Sequence, residues 1–193
     1  RLDVRLGDLM QKNLRSEIAQ DLYQFIAERF RVYLIEKGYS HDTVQACLDI
    51  KSLENPYVTF MQVDQLQEFR KTKLFPRLMD AYRRPNNILN SEENRAKKKY
   101  VLEPSVKLFN TAEENRLMDN LVSAENLVRT SLSQRDYFTA LQTLANLNDS
   151  VEGFFENVTI NSELLEKKDN RLYLCNKVRT IMHSVANFSE LTM

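Results

Sequence analysis

The residues best suited to chemistry in this chain are the cations and amides near its middle. Residues 70–100 hold ten bases and three acids, whereas residues 101–169 hold six bases and twelve acids. The 27 basic and 27 acidic residues therefore cancel only over the whole chain. Because lysine and arginine neutralise phosphates, a surface built from the basic segment would attract polyanions whatever the net charge.

Planar guanidinium groups and amides can also stack on, or hydrogen-bond to, the unpaired bases of an RNA loop. The run Arg83-Arg84-Pro85-Asn86-Asn87 combines both chemistries. Arg77 precedes Arg84 by two helical turns, and a looser basic arm follows. The candidate RNA-binding residues outside the last helix are thus Arg83, Arg84, Asn86, Asn87, Arg77, Arg95, Lys97, Lys98 and Lys99. The alternative is an ordinary solvated basic helix face.

The chain lacks the usual constellations of an enzyme. His41 and His183 have no Cys, Glu or His at metal-ligand spacing, and three scattered glycines cannot form a phosphate-binding loop. The carboxylates Glu113 and Glu114 are expected on a solvated helix face. We therefore predict no catalytic residue, no metal site and no cofactor in this chain taken alone.

The composition favours an all-α protein. With 3 Gly and 4 Pro among 193 residues, the turns and bulges that sheets require are scarce, while 42% hydrophobic residues suffice for a core. We predict one domain over residues 1–193, a bundle of about seven or eight helices that looks excised from a larger chain. Residues 1–17 should form a linker or an entry helix, and no apolar run approaches a membrane span.

Glycine and proline predict where several helices begin and end. Gly38 should end the first helix in a left-handed conformation, and Pro56 should open a helix at its first position. Pro85 is expected to end or kink a helix at Arg84. The polar segment 90–103 is expected to be a flexible loop or a frayed helix.

The first helix carries an apolar stripe at spacings of three and four residues. Its members include Phe25, Ile26, Phe30, Tyr33 and Leu34. This spacing is typical of a helix packed on one side, so we expect these residues in the core and the hairpin around Gly38 to act mainly as scaffold.

Several short motifs, in order over roughly residues 18–191, closely resemble the carboxy-terminal region of the β subunit of bacterial glycyl-tRNA synthetase. Asn87-Ile88-Leu89 looks like the end of that family's Lys-Arg-x-x-Asn-Ile-Leu motif, with Arg83 in place of the usual lysine and Pro85 where a β-branched residue is usual. The other matching stretches are residues 25–48, 137–147, 151–158, 170–172 and 185–189.

The resemblance implies a helical anticodon-binding domain of the DALR type, whose partners are tRNA-Gly and the synthetase α subunit or a fused α half. It implies that the parent protein is a glycine-tRNA ligase, with ATP and Mg in its catalytic part, and that this fragment supplies tRNA binding. It implies a cytoplasmic protein without a membrane segment, bacterial or, in a eukaryote, of a plastid or another organelle.

Two points stay open at this stage. Arg171, near the start of the last helix, is a further RNA-binding candidate that could instead pair with Glu166 or Asp169. The domain could also be a helical protein-interaction module that docks synthetase subunits with little RNA contact, which an exposed apolar patch would favour. Arginyl-tRNA synthetase shares the fold but fits the motifs less well.

Overall fold

The computed structural model describes residues 21–22, 24–48 and 55–192. In that part of the chain all regular elements are helical, which confirms the all-α prediction. Residues 1–17, expected to be a linker or an entry helix, lie outside the described residues. The elements are α1 (24–36), α2 (His41–Cys47), α3 (Pro56–Arg70), α4 (Leu74–Ala96), α5 (Ala112–Ser133), α6 (Tyr137–Ala145), α7 (Asn148–Asn157) and α8 (Leu165–His183), with short 3-10 helices at Val106–Leu108 and Phe188–Glu190.

Local capping explains where these helices begin and end. The Asn55 side chain accepts a hydrogen bond from the backbone N–H of Val58, and Pro56 occupies the first turn of α3, as predicted. Thr111 and Glu114 form a reciprocal capping box at the start of α5. Glu114 is buried, so the expectation of a solvated position was wrong for this carboxylate. Gly38 has a φ of 95°, so the left-handed stop after α1 is confirmed.

The long helix α4 organises the core. It packs against α6, α7 and α8, while α5 covers the same three helices from the other side. The centre of the core consists of fully buried side chains, among them Phe69, Leu78, Leu89, Leu121, Phe154 and Leu172. This arrangement leaves one face of α4 exposed over most of its length.

Two expectations about α4 differ from the structure. Pro85 does not end the helix at Arg84, because α4 continues through it to Ala96. The predicted loop over 90–103 is therefore helical as far as Ala96, and irregular backbone begins only at Lys97, which has a φ of 50°. Pro85 is buried, so its ring packs in the core and offsets the hydrogen bond it cannot donate.

The charged end of α4 is helical because its acids have partners. Glu93 is buried and accepts hydrogen bonds from Lys99 at 2.6 Å and Arg179 at 2.8 Å. Glu92 likewise pairs with Lys168 at 2.8 Å. These contacts join the last turns of α4 to α8. Apolar periodicity in the sequence does not reveal them, because they are made by charged side chains.

The apolar stripe of α1 is only partly in the core. Leu34 is fully buried and Phe30 half-buried, but Phe25, Ile26 and Tyr33 are each more than 40% exposed. The prediction that all five residues belong to the core was therefore wrong for these three. A single neighbouring surface covers only a narrow sector of a helix, and here that sector is centred near Leu34.

Candidate nucleic-acid interface

A groove of about 550 Å³ runs between the exposed face of α4 and the first turns of α7. Residues spaced three or four apart on α4 share one helix face, and that face forms one wall of the groove. The lining residues are Asp80, Arg83, Arg84, Asn87 and Ile88 from α4, and Asn148, Val151 and Glu152 from α7. We call this the α4–α7 groove.

The two arginines of the α4–α7 groove are held differently. The Arg84 guanidinium lies 4.6 Å from the centre of the Phe155 ring and donates to the Phe155 backbone carbonyl at 3.2 Å. The Arg83 side chain makes no hydrogen bond or ion pair with any residue that the structure describes. Arg84 is thus an oriented cation, whereas Arg83 is free to pair with a ligand anion.

Most other cations of the basic segment are already paired. Arg77 binds Asp149 of α7 at 2.7 Å, and Lys98 binds Asp169 of α8 at 2.5 Å. The remaining pairs in this set are Arg70 with Asp42, Lys71 with Glu68, Arg95 with Glu92, and Lys99 with Glu93. The acids of residues 101–169 therefore meet part of the basic segment in space, and the positive surface is smaller than the sequence suggests.

The structure brings some predicted RNA-binding residues together and separates others. Arg83, Arg84 and Asn87 line one groove, because the unbroken helix at Pro85 keeps them on one face. Asn86 is half-buried and does not line the groove. Among the residues of the predicted basic arm that the structure describes, Lys97 alone makes no ion pair or hydrogen bond through its side chain.

Arg171 has a different role from either of its predicted ones. It is buried, and its guanidinium donates to Glu114 at 2.9 Å, to the Thr159 carbonyl at 2.7 Å and to Asn110 at 3.0 Å. Burial alone would raise the pKa of Glu114, but hydrogen bonds from Arg171, the Asn110 backbone N–H and the Thr111 side chain lower it. Arg171 therefore joins α8 to the start of α5 and lies inside the protein.

Of the residues that line the groove, sequence reasoning did not name Asp80, Asn148 and Glu152 as candidates. Asp80 stands three positions before Arg83, so helix periodicity could have placed it on the same face. Asn148 and Glu152 come from α7, and only tertiary packing brings them opposite α4. Phe155 does not line the groove, but its buried ring supports the Arg84 guanidinium from below the surface.

Neither a group of metal-ligating side chains nor a membrane-spanning helix is found in the part of the chain that the structure describes. Among the described residues, no three His, Cys, Asp or Glu side chains cluster closely enough to hold a metal ion. No described helix has the length and apolar character needed to cross a bilayer. A smaller cavity of about 200 Å³ follows α4 beyond the groove, lined by Ile88, Ser91, Glu92, Ile160 and Asn161.

Comparison with known families agrees with this geometry. The family described as DALR anticodon binding domain matches residues 78–188, a range that includes every residue lining the α4–α7 groove. The chain belongs to this family of anticodon-binding domains.

Three similar proteins illustrate the relatives of this chain, and each is a β subunit of a glycine–tRNA ligase. The chain is 27% identical over 191 residues to the glycine–tRNA ligase β subunit of Ruegeria sp., which covers 98% of this chain and 28% of that protein. It is 32% identical to the β subunit of Phenylobacterium zucineum, over 93% of this chain and 26% of that protein. The β subunit of Geotalea daltonii is 28% identical, over 96% and 26%. The resemblance to this β subunit is confirmed, and the chain spans about a quarter of these relatives' length.

Proposed function

We propose that this chain is the tRNA-binding part of a glycine–tRNA ligase β subunit, and that it holds the anticodon region of tRNA-Gly in the α4–α7 groove. The α subunit, or an α half fused to the same chain, would then aminoacylate the positioned tRNA with ATP and Mg. The bacterial relatives favour a cytoplasmic enzyme.

The observation that carries this proposal is the position of Arg83. Arg83, which has no partner among the described residues, lies in the α4–α7 groove with the oriented guanidinium of Arg84 and the amide of Asn87. A phosphate would pair with Arg83, and an unstacked base would meet Asn87 and the planar face of Arg84. The match to an anticodon-binding family over the same residues supports RNA as the ligand.

Binding of defined tRNAs tests the proposal. The chain should bind a tRNA with a glycine anticodon more tightly than an unrelated tRNA, with affinity falling as salt rises because bound phosphates release counterions. Filter binding across a salt series measures both quantities. Equal weak affinity for both tRNAs would reduce the chain to a nonspecific cationic surface and refute the proposal.

The exposed apolar face of α1 favours a second function, docking of the catalytic α subunit or α half. Phe25, Ile26 and Tyr33 of α1, and Leu22 just before it, are all more than 40% exposed, and their spacing places them on one side of the helix. Apolar side chains grouped in this way are typical of a protein interface. Arg29 over Phe25 and Lys37 over Tyr33 give this face a basic rim.

Replacing Phe25 and Ile26 by Ser separates the two functions. If α1 docks the catalytic part, the doubly substituted chain should no longer co-elute with it in size-exclusion chromatography but should keep its affinity for tRNA. Unchanged co-elution would show that the α subunit binds elsewhere.

A further inference from the structure

Two carboxylates share the α4–α7 groove with the arginines. Asp80 projects from α4 and Glu152 from α7, and both line the same cavity as Arg83 and Asn87. Neither carboxylate makes an ion pair or a side-chain hydrogen bond with any residue in the described part of the chain. Both are exposed, so each is available to a ligand in the groove.

The unpaired state of Asp80 and Arg83 contrasts with other pairs in the same protein. Acids and bases three residues apart on a helix are joined at 2.7 Å between Glu28 and Arg31 and at 2.6 Å between Glu92 and Arg95. Asp80 and Arg83 have the same spacing but no bond. The groove therefore presents a separate anion and a separate cation.

A carboxylate is unfavourable in a site that binds only phosphates, because the two anions repel each other. It can only accept hydrogen bonds, so it pairs with donors of the RNA, among them the exocyclic amino group of a base. Ile88 and Val151 also line the groove and offer apolar surface for the face of a base. The amide of Asn87 can donate to an acceptor on the same base edge.

We propose that Asp80 and Glu152 make the groove selective for cytosine over uracil. Cytosine presents an amino group next to ring acceptors, which matches carboxylates beside an amide and an arginine, whereas uracil places a carbonyl oxygen where the amino group would be. The arginines supply affinity for the backbone, and the carboxylates supply the discrimination. This inference rests on the proposed function, since glycine codons begin with two guanines and their anticodons end in two cytosines.

The test uses an anticodon stem-loop RNA with a glycine anticodon and two variants in which one of these cytosines at a time is replaced by uracil. The unsubstituted chain should bind the parent loop about tenfold more tightly than at least one variant, the size expected for one direct base contact. The double substitution Asp80→Asn and Glu152→Gln should reduce that preference to below about twofold and should raise affinity for the uracil loop, because amides can donate to the carbonyl.

Asp119→Asn is the matched control, since Asp119 is an exposed acid of α5 that does not line the groove. This variant should keep the full preference. Circular dichroism and urea unfolding should show unchanged folding of all variants, because each substituted acid is exposed and unpaired.

A tenfold preference that survives the double substitution would overturn the inference while leaving tRNA binding intact, and so would tight binding with no preference in the unsubstituted chain. The proposed function fails as well if the chain binds glycine-anticodon RNA no better than unrelated RNA and if replacing Arg83 and Arg84 by Ala leaves RNA affinity unchanged.

Discussion

The Nε atom of Arg171 donates to Oε1 of Glu114 at 2.9 Å, and both side chains are buried between α8 and α5. Two further donations, to the Thr159 carbonyl and to Asn110, mean that each of the three guanidinium nitrogens has an acceptor. A buried ion pair is costly to break, because removal of one partner leaves an uncompensated charge. This cation is therefore part of the scaffold and is not exposed at the protein surface.

Arg171→Met should lower the free energy of unfolding by about 3–5 kcal/mol, since Glu114 then loses its buried counterion. Urea unfolding followed by circular dichroism measures the change. The exposed Arg116 of α5, which has no side-chain partner among the described residues, provides the control Arg116→Met, and that variant should change stability by less than about 0.5 kcal/mol. Equal small effects in both variants would contradict the structural role of Arg171.

Stability should fall in acid, and Asp42 should carry part of the loss. Burial alone would raise the pKa of Asp42, but hydrogen bonds from Arg70 and Thr192 hold it well below its usual range. The contribution is present above the unfolded-state pKa and disappears as the pH falls through the folded-state pKa. At pH 7, Asp42→Asn should be less stable than the unsubstituted chain. Below about pH 4, the ordinary pKa of an aspartate, the urea midpoint of the variant should depend less on pH than that of the unsubstituted chain. If the urea midpoints of the variant and the unsubstituted chain fall in parallel as the pH is lowered, this role of Asp42 is contradicted.

The two faces of α1 should differ in their effect on stability. Leu34→Ala should cost about 2–5 kcal/mol, because Leu34 is fully buried and its truncation leaves a cavity. Phe25→Ser should stay within about 0.5 kcal/mol, because Phe25 is exposed. Thermal and urea unfolding of both variants would check this. A large loss for Phe25→Ser would place that side chain in the core after all.

Releasing a paired cation should strengthen RNA binding. Asp149 holds Arg77 at 2.7 Å, and both side chains are largely exposed. Asp149→Asn should raise tRNA affinity about two- to threefold and steepen the logarithmic salt dependence by at most about one unit, because one more arginine can reach a phosphate. Asp119→Asn again serves as the control. An affinity that does not rise would place Arg77 away from the bound RNA.

The sequence predicted the helical class, the glycine stop after α1 and the capped start of α3, because these follow from local conformational preferences at Gly38 and Pro56. It also proposed Arg83, Arg84 and Asn87 together, from the chemistry of neighbouring guanidinium and amide groups, and all three line one groove in the structure. Local signals were misleading at Pro85, where a single missing hydrogen bond is outweighed by the burial of the ring.

The errors about charge have a different origin. The basic segment looked like one cationic surface because pairs such as Arg77 with Asp149 and Lys98 with Asp169 join residues about 70 positions apart. Nothing in the local sequence indicates such partners. Burial of Arg171 and exposure of Phe25 likewise depend on which helices pack together, so they could be read only from the folded protein.

The most direct test of RNA binding in the α4–α7 groove replaces Arg83 and Arg84 together by Ala and compares tRNA affinity with that of Arg116→Ala. The groove variant should keep its helicity and bind tRNA-Gly about tenfold or more weakly, since removal of each contact to RNA costs about 1 kcal/mol or more. The Arg116 variant should bind as the unsubstituted chain does. Equal affinities for all three proteins would contradict the central role of this groove.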